Sequence, residues 1–340
     1  MSDVNSVPPQ QGDIIAGFRE KVTGRNLTVV LPEGRDARIM QAAREIKDQG
    51  IAEPVVLGKT EKTEAAAKEA GVDLSGIRVI DPRKSDRLDD YAAMYVGDRT
   101  DISQSVARRM VTKAMFFGGM MVAAGDADVL VGGAASATAT VIQAGTLTVG
   151  LAAGIDTVSS YFLMIIPDFQ GQKDKPFIYA DCAVNIDPDA KELADIAMAS
   201  AQSAKALLAV DPRVAMLSYS TRGSASGPST EKVLEALKMV RQKVPTLAID
   251  GEFQADSAII ARVAAKKVKD ESQVAGQANV LIFPDLDAGN IAYKLTQYMA
   301  NAKAIGPFLQ GFSKPISDLS RGASVSDIVT TSIITLALVP

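Results

Sequence analysis

Apolar and polar positions along the chain alternate between a period typical of buried strands and a period typical of amphipathic helices. Residues 27–31 form a β-rich run, and residues 36–49 follow with apolar side chains at helical spacing. Further runs that predict strands are 55–57, 77–80, 129–131, 162–166, 177–180, 214–218, 246–249 and 280–283. Runs that predict helices are 62–70, 91–96, 103–124, 140–151, 191–208, 229–242, 257–266, 288–302 and 328–340. This alternation predicts parallel βαβ units covered on both faces, and therefore an α/β fold.

The predicted elements fall into two series, the second of which begins near residue 159. A chain of 340 residues also exceeds what one hydrophobic core usually supports, so we expect two lobes with a cleft between them. Ligands of open α/β sheets bind beyond the carboxyl ends of the strands. The polar loops expected there are 132–140, 218–229, 250–256, 285–290 and 311–324. Residues 1–12 are polar and predict a disordered tail.

Charge and composition exclude several classes of function. A net charge of −4 and a pI near 5.2 argue against a nucleic-acid partner, which needs a basic face. The apolar runs are shorter than the ~20 residues of a membrane span, and we expect no membrane segment. A single cysteine excludes an internal disulfide and fits the cytoplasm, where we expect the protein.

The segment 314–327 carries the most reactive combination of side chains. Ser320, Arg321 and Asp327 place a hydroxyl, a guanidinium and a carboxylate within eight residues. Since the chain has no histidine, proton transfer must fall to another side chain, and Asp327 is the best-placed carboxylate. Asp327 also stands three residues after a serine in a helix-capping pattern. The sequence therefore allows two roles for this carboxylate, helix capping and catalysis. Arg321 is expected either to bind an anion or to pair with Asp318 on a solvated loop.

A second candidate site is the small-residue loop 132–140, which follows a strand and precedes a helix. Its backbone can approach an anion closely, the helix start adds free N–H groups, and Ser136 and Thr138 offer hydroxyls. A tight turn with ordinary helix capping explains the same pattern.

Several other sites are not indicated. The G-x-G-x-x-G fingerprint is missing from the sequence, which weakens the hypothesis of a two-domain decarboxylating dehydrogenase. We find no H-E-x-x-H, C-x-x-C or dense carboxylate motif, and we predict no metal site. Cys182 lacks a histidine that would activate it, so we interpret it as a packing residue.

The sequence Lys314-Pro315, followed by Asp318-Leu319-Ser320-Arg321-Gly322, resembles the signature of phosphate acetyltransferases within the phosphate acetyl/butyryltransferase family. Other motifs follow in family order: Leu31-Pro32-Glu33-Gly34, Gly125-Asp126-Ala127-Asp128, Asp181-Cys182-Ala183-Val184-Asn185, Asp250-Gly251-Glu252 and Phe283-Pro284-Asp285-Leu286. The resemblance implies two three-layer α/β domains with mainly parallel sheets facing an interdomain cleft, as in isocitrate and isopropylmalate dehydrogenases. Domain I would comprise 13–156 plus 312–340, and domain II 157–311.

The resemblance also implies a reaction. An acetyl group would pass reversibly between coenzyme A and phosphate, with acetyl-CoA and acetyl phosphate as the acyl carriers. Coenzyme A would be a substrate, no prosthetic group would be needed, and the expected assembly is a homodimer. Longer acyl selectivity, as in phosphate butyryltransferase, and a non-catalytic acyl-CoA-binding regulatory protein are the alternatives.

Residue roles follow from the same resemblance. Asp327 would deprotonate the coenzyme A thiol, Ser320 would stabilise the transition state, and Arg321 would hold phosphate. The residues expected to line the substrates are Ser136, Thr138, Lys314, Asn290 and Arg99. Two positions depart from the family pattern. Gln143-Ala144 stands where relatives carry arginine and proline, and a second family arginine falls near Gly97, where Arg99 would substitute.

Overall fold

A computed structural model describes residues 14–208 and 210–340 of the chain, so the predicted tail 1–12 lies outside the described residues. The strands are β1 Thr28–Leu31, β2 Glu53–Leu57, β3 Arg78–Ile80, β4 Val129–Gly132, β5 Ser159–Phe169, β6 Gln172–Ala180, β7 Arg213–Leu217, β8 Ala248–Phe253, β9 Val280–Ile282, β10 Lys303–Gln310 and β11 Ile316–Asp318. The helices are α1 Ile14–Val22, α2 Ala37–Asp48, α3 Thr60–Glu69, α4 Leu88–Val96, α5 Gln104–Val111, α6 Ala114–Ala124, α7 Thr138–Thr148, α8 Ala190–Leu208, α9 Pro228–Lys243, α10 Ala255–Ile259, α11 Ala261–Lys267, α12 Leu286–Met299 and α13 Val325–Ala337. The predicted α/β class is confirmed.

The first sheet is entirely parallel and has the strand order β11-β4-β1-β2-β3. Successive side chains of its central strands point to opposite faces, so Val29 and Leu31 join one hydrophobic cluster while Val30 joins another. Helices α2 and α13 pack in the first cluster, and α6 packs in the second. Helices therefore cover both faces, which explains why β1 and β4 are continuous apolar runs.

The second sheet is mixed and has the order β10-β5-β6-β9-β7-β8. Strands β6, β9, β7 and β8 pair in parallel, whereas β5 pairs antiparallel with both β6 and β10. The expectation of parallel βαβ units was wrong at this edge. Strands β5 and β6 form a hairpin through Gln170 and Gly171, whose φ angles of 53° and 79° suit the tightest hairpin turns.

Two predicted helices are each interrupted. Residues 103–124 form α5 and α6 rather than one helix, because Lys113 is extended and begins a new helix. The break lets amphipathic α5 stay at the surface while apolar α6 turns into the core. Residues 257–266 are likewise divided, between α10 and α11, at the extended Ile260. In the described part of the chain, no helix combines the length and the hydropathy that a membrane crossing requires.

The topology brings three loops to one place. Strands β11, β4 and β1 are parallel neighbours, so the segments that follow them leave the sheet at the same edge. Asp318 at the end of β11 lies in register with Gly132 at the end of β4. The segment after β11 therefore lies beside the small-residue loop after β4, although the two are far apart in sequence. Strand β11 belongs to the first sheet. The division of the chain into domain I (13–156 plus 312–340) and domain II (157–311) stays a prediction.

Candidate active site

Arg38, near the start of α2, ties the adjoining loops together. Its guanidinium forms an ion pair with Asp36 at 2.6 Å. It also donates to the carbonyl oxygens of Arg321 at 2.9 Å, Ala323 at 2.7 Å and Ala134 at 3.0 Å. One half-buried side chain thus fixes the segment after β11 against the loop after β4. Asp36 in turn caps α2, and its bonds to Arg38 lower the pKa of the Asp36 carboxyl.

The small-residue loop already holds an anion from the protein itself. The carboxylate of Glu33 accepts backbone N–H bonds from Gly133 at 2.9 Å, Ala134 at 2.7 Å and Ala135 at 2.9 Å. These three amides are therefore already bonded within the protein, and anion binding by the loop stays one of the two predictions made for it. Ser136 is still available, since its hydroxyl has no hydrogen-bond partner among the described residues.

Asp318 is a buried carboxylate, only 4% exposed. The hydroxyl of Thr138 donates to its Oδ2, while Oδ1 has no hydrogen-bond partner in the described part of the protein. Burial raises the pKa of Asp318 to about 6; the bonds from the Thr138 hydroxyl and the Leu319 N–H oppose this increase, and the negative charge of Glu33 adds to it. The alternative in which Asp318 pairs with Arg321 on a solvated loop is wrong, because Asp318 lies within β11 and faces Thr138.

Ser320 and Arg321 are exposed beyond the end of β11. The Ser320 Oγ accepts a bond from the Gly322 N–H at 3.2 Å, which leaves the hydroxyl proton available. The Arg321 guanidinium forms no hydrogen bond or ion pair with any described side chain or carbonyl. An unpaired guanidinium beside a free hydroxyl is suited to an oxyanion ligand.

Asp327 caps α13, as its sequence pattern predicted. Its Oδ2 accepts from the Ser324 N–H and from the Ser324 hydroxyl, both at 2.8 Å, and its own N–H donates to Ser324 Oγ at 3.2 Å. The capping role is confirmed, while the role of base stays a prediction. Asp327 Oδ1 makes no hydrogen bond within the described residues, so one carboxylate oxygen is left to take a proton.

Three of these side chains line a cavity of about 410 Å³, whereas Arg321, Ser136 and Thr138 are not among its lining residues. Asp318, Ser320 and Asp327 line one side, and the first residues of β10, from the second sheet, line another. The cavity is therefore bounded by elements of both sheets, as a site between two lobes would be.

Two predicted substrate-binding cations lie elsewhere. The Lys314 ammonium donates to the Val122 carbonyl at 2.7 Å, near the C-terminus of α6, where a cation stabilises the helix. The Arg99 guanidinium donates to the carbonyls of Tyr95 and Leu147 at 2.8 Å each and lies 4.6 Å from the centre of the Tyr95 ring. Neither side chain lines the cavity that contains Ser320, and a role in substrate binding stays a prediction for both.

Asn290 lies near the start of α12 and donates to the Cys182 carbonyl at 3.1 Å. The preceding Gly289 lets the helix approach, because a Cβ there would lie 2.2 Å from the Asp181 carbonyl oxygen. Cys182 is fully buried, and burial together with the nearby Asp181 charge raises the pKa of its thiol. The packing interpretation of Cys182 agrees with this environment, and substrate binding by Asn290 stays a prediction.

Comparisons with known proteins assign the family. A family model described as phosphate acetyl/butaryl transferase matches residues 14–336. The chain belongs to this family. The family, predicted from the motif at 314–322, is thereby confirmed, and the chain is an acyltransferase.

Similar proteins cover nearly the whole chain. The phosphate acetyltransferase of Thermoanaerobacterium thermosaccharolyticum is 46% identical over 318 residues, which are 93% of this chain and 96% of that protein. The phosphate acetyltransferase of Bacillus subtilis is 39% identical over 326 residues, 96% of this chain and 98% of that protein. The structure of the EutD phosphotransacetylase from Staphylococcus aureus superposes with a TM-score of 0.88 at 38% identity, covering 96% and 98% of the two chains.

The departures from the expected family pattern have clear positions. Gln143 is exposed on α7, and its side chain makes no hydrogen bond with the residues described. Gly97 follows α4 at a positive φ of 46°, which a glycine accommodates readily. Across residues 14–208 and 210–340, no group of three or more His, Cys, Asp or Glu side chains is arranged to hold a metal ion.

Sequence reasoning from the residues missed Glu33, Arg38 and Asp318 as members of the site. Glu33 follows the strand run 27–31, so its position beyond a strand end was a usable signal. Asp318 gave a weaker signal, because the run Ser317-Asp318-Leu319-Ser320 is mostly polar and predicts an exposed loop rather than a buried strand end.

Proposed function

We propose that this family member is a phosphate acetyltransferase, which transfers an acetyl group reversibly between acetyl-CoA and phosphate to give acetyl phosphate and coenzyme A. The observation that carries the proposal is the cavity between β10 and the segment that follows β11. It is lined by Ser320 and Asp327, and the unpaired guanidinium of Arg321 lies in the same segment. The relatives named phosphate acetyltransferase support the choice of acyl group.

The first step is formation of the coenzyme A thiolate. A thiol with a pKa of ~8.5 needs only a weak base at neutral pH. The free Oδ1 of Asp327 takes that proton, while its Oδ2 stays bound to Ser324 and holds the carboxylate in one orientation. Capping and base catalysis are therefore compatible in one side chain.

The thiolate then attacks the carbonyl carbon of acetyl phosphate in a ternary complex. A C–S bond forms, the carbonyl oxygen gains negative charge, and collapse of this tetrahedral species breaks the C–O bond and releases phosphate. The Ser320 hydroxyl donates to the charged oxygen, since its oxygen is held by Gly322 N–H and its proton is free. Arg321 binds phosphate through two parallel N–H bonds, the arrangement for which a guanidinium is suited.

No prosthetic group takes part in this scheme, since the thiol nucleophile arrives with coenzyme A. We also propose that the enzyme acts in the cytoplasm, where a reducing environment suits the single thiol.

A homodimer is part of the same proposal. Helix α12 exposes an apolar face formed by Ile291, Leu295, Tyr298 and Met299, and the last two side chains are each 81% exposed. Their spacing places them on one side of the helix, and a continuous exposed apolar patch marks an interaction site. We assign this face to contact with a second copy of the chain.

The catalytic proposal is tested by phosphate-dependent consumption of acetyl-CoA and, in parallel, of butyryl-CoA. Wild-type protein is expected to prefer acetyl-CoA. Arg321→Ala is expected to lower kcat/KM for phosphate by about 100-fold, the loss of a bidentate charge-assisted contact. Arg109→Ala is the matched control, because its guanidinium is also exposed and unpaired among the described residues but lies on α5. Lack of phosphate-dependent turnover with both substrates would overturn the proposal, and a preference for butyryl-CoA would change the acyl group.

The dimer is tested by light scattering coupled to size-exclusion chromatography. Leu295→Asp is expected to yield monomer, whereas Leu234→Asp, which changes an exposed leucine on α9, is expected to leave the dimer intact. A monomeric wild type, or a dimer unaffected by Leu295→Asp, contradicts the assignment of the α12 face.

A further inference from the structure

Thr138 has one hydroxyl proton, and it is already committed. The Thr138 hydroxyl donates to Asp318 Oδ2, and an ionised carboxylate can only accept. In that arrangement Thr138 presents only lone pairs to an incoming phosphate, which repel it. The role of Thr138 as a phosphate ligand therefore requires a different placement of the protons between these two side chains.

The surroundings of Asp318 favour the neutral acid. The carboxyl is 4% exposed, and its Oδ1 has no hydrogen-bond partner among the described residues. The Thr138 hydroxyl and the backbone N–H of Leu319 favour the charged form, but the cost of burying that charge outweighs them. Gly133 packs closely against Oδ1 of Asp318, since a Cβ atom added to this glycine would lie 2.1 Å from that oxygen. This side of Oδ1 therefore has no room for a further donor. The nearby Glu33 carboxylate adds a like charge.

The other elements around this part of the protein also carry charges. The loop after β1 carries Glu33, and the N-cap and first turn of α2 carry Asp36 and Arg38. The segment after β11 carries Arg321, α13 carries Asp327 and β10 carries Lys303. Arg38 is paired with Asp36 and bound to three carbonyl oxygens, so its charge is committed elsewhere. No described cation forms an ion pair with Asp318.

Resting on the proposed function, we propose that Asp318 is a positioning residue that works as the neutral acid. Its carboxyl proton is donated to Thr138 Oγ1, and Thr138 then donates its own hydroxyl proton to the bound phosphate. A phosphate dianion placed next to Thr138 further disfavours ionised Asp318, so binding draws one proton from solvent to the carboxyl. Phosphate binding and protonation of Asp318 are thus one coupled event.

The test compares wild type with Asp318→Asn between pH 5.5 and pH 8.5. The asparagine amide donates to Thr138 Oγ1 at every pH, so the Thr138 proton is always directed at the ligand. The ratio of the wild-type KM for phosphate to that of Asp318→Asn is expected to rise about tenfold between pH 6 and pH 8, the loss of one hydrogen bond to a charged group. The second ionisation of phosphate affects both enzymes equally and cancels in the ratio. The effect on KM is expected to exceed the effect on kcat.

A second pair of variants keeps the proposal falsifiable if Asp318→Asn does not fold. Thr138→Ser keeps the hydroxyl and should keep the pH-dependent part of KM, whereas Thr138→Val should lose it. Titration calorimetry of phosphate binding in buffers of different ionisation enthalpy should show uptake of up to one proton in wild type and less in Thr138→Val.

The failures of the two proposals are distinguishable. A KM ratio that does not change with pH, or equal pH profiles for Thr138→Ser and Thr138→Val, overturns the role of Asp318 while the enzyme still turns over. Wild-type protein that shows no phosphate-dependent turnover overturns the proposed function itself.

Discussion

The bond between Glu33 and the small-residue loop gives the most direct test of how this site is built. Glu33→Ala removes one carboxylate and leaves the N–H groups of Gly133, Ala134 and Ala135 without their acceptor. We expect the variant to be less stable and to bind phosphate more weakly, because the loop carrying Ser136 and Thr138 loses its anchor.

The magnitude follows from three bonds of 2.7–2.9 Å to an ionised acceptor. Each such bond contributes about 1.5–3 kcal/mol net. The three donors are adjacent and Glu33 is only half-buried, so water replaces part of the loss, and we expect about 3 kcal/mol in total. A chain of 340 residues unfolds with an entropy of about 0.7 kcal/mol/K, so the Tm should fall by about 4 °C.

The assay is thermal unfolding followed by circular dichroism, together with steady-state kinetics at varied phosphate. Glu64→Ala is the control, since Glu64 is exposed on α3 and makes no side-chain bond with the residues described. We expect the control to change the Tm by less than about 1 °C, as surface substitutions do. Glu33→Ala should lower kcat/KM for phosphate by about tenfold or more through the misplaced loop.

One result would refute this reasoning. If Glu33→Ala binds phosphate more tightly and keeps its stability, then the three amides are a substrate site that Glu33 covers, and the backbone cradle expected from the sequence is restored. A loss of stability with unchanged kinetics would instead mean that Glu33 stabilises the fold but does not affect phosphate binding.

Three further outcomes are expected. Asp327→Asn should lower kcat by 100-fold or more but lower the free energy of unfolding by only about 1 kcal/mol. Kinetics and urea denaturation together therefore distinguish a catalytic base from a helix cap. An unchanged kcat would mean that Asp327 only caps the helix. Cys182 should resist iodoacetamide in the folded protein, as mass spectrometry would show, because burial raises the pKa of its thiol; rapid native labelling would contradict this. The pKa of Asp318 is raised from 3.8 to about 6, so its stabilising contribution is present below pH 3.8 and is lost as the pH rises through 6. Relative to Asp318→Asn, wild type should therefore lose about 2 kcal/mol between pH 4.5 and pH 8 in urea titrations, and a relative gain would contradict the shift.

The sequence predicted those elements whose apolar pattern is continuous. Strand β4 and helix α8 were expected within a few residues of their positions, because each is a long or uniformly buried run. Strands β10 and β11 were not predicted. Gly306-Pro307 interrupts the run in β10, and β11 contains one apolar residue followed by two polar ones. Each of these polar side chains is buried and accepts a hydrogen bond from a hydroxyl that is distant in sequence, which no local pattern reveals.

Some residues of the candidate site could likewise be predicted from the sequence, and others could not. Ser320, Arg321 and Asp327 lie within eight residues, so their combination could be read directly from the chain. The contacts that hold them are non-local: Arg38 is separated from the Arg321 carbonyl by 283 residues, and Thr138 from Asp318 by 180. Such pairs depend on strand order, which the sequence pattern did not specify.

The position of β11 in the first sheet has a consequence for synthesis on the ribosome. Strands β1 to β4 emerge early, yet their sheet stays incomplete, and β4 keeps an unpaired backbone edge until Ile316–Asp318 is made. An open strand edge is a site of aggregation in nascent chains. Ser320, Arg321 and Asp327 come shortly after β11 in the chain, so these predicted active-site residues are synthesised just after the strand that closes this edge. A ribosome that stalls before residue 316 would therefore release a product that keeps this edge open and lacks all three predicted active-site residues.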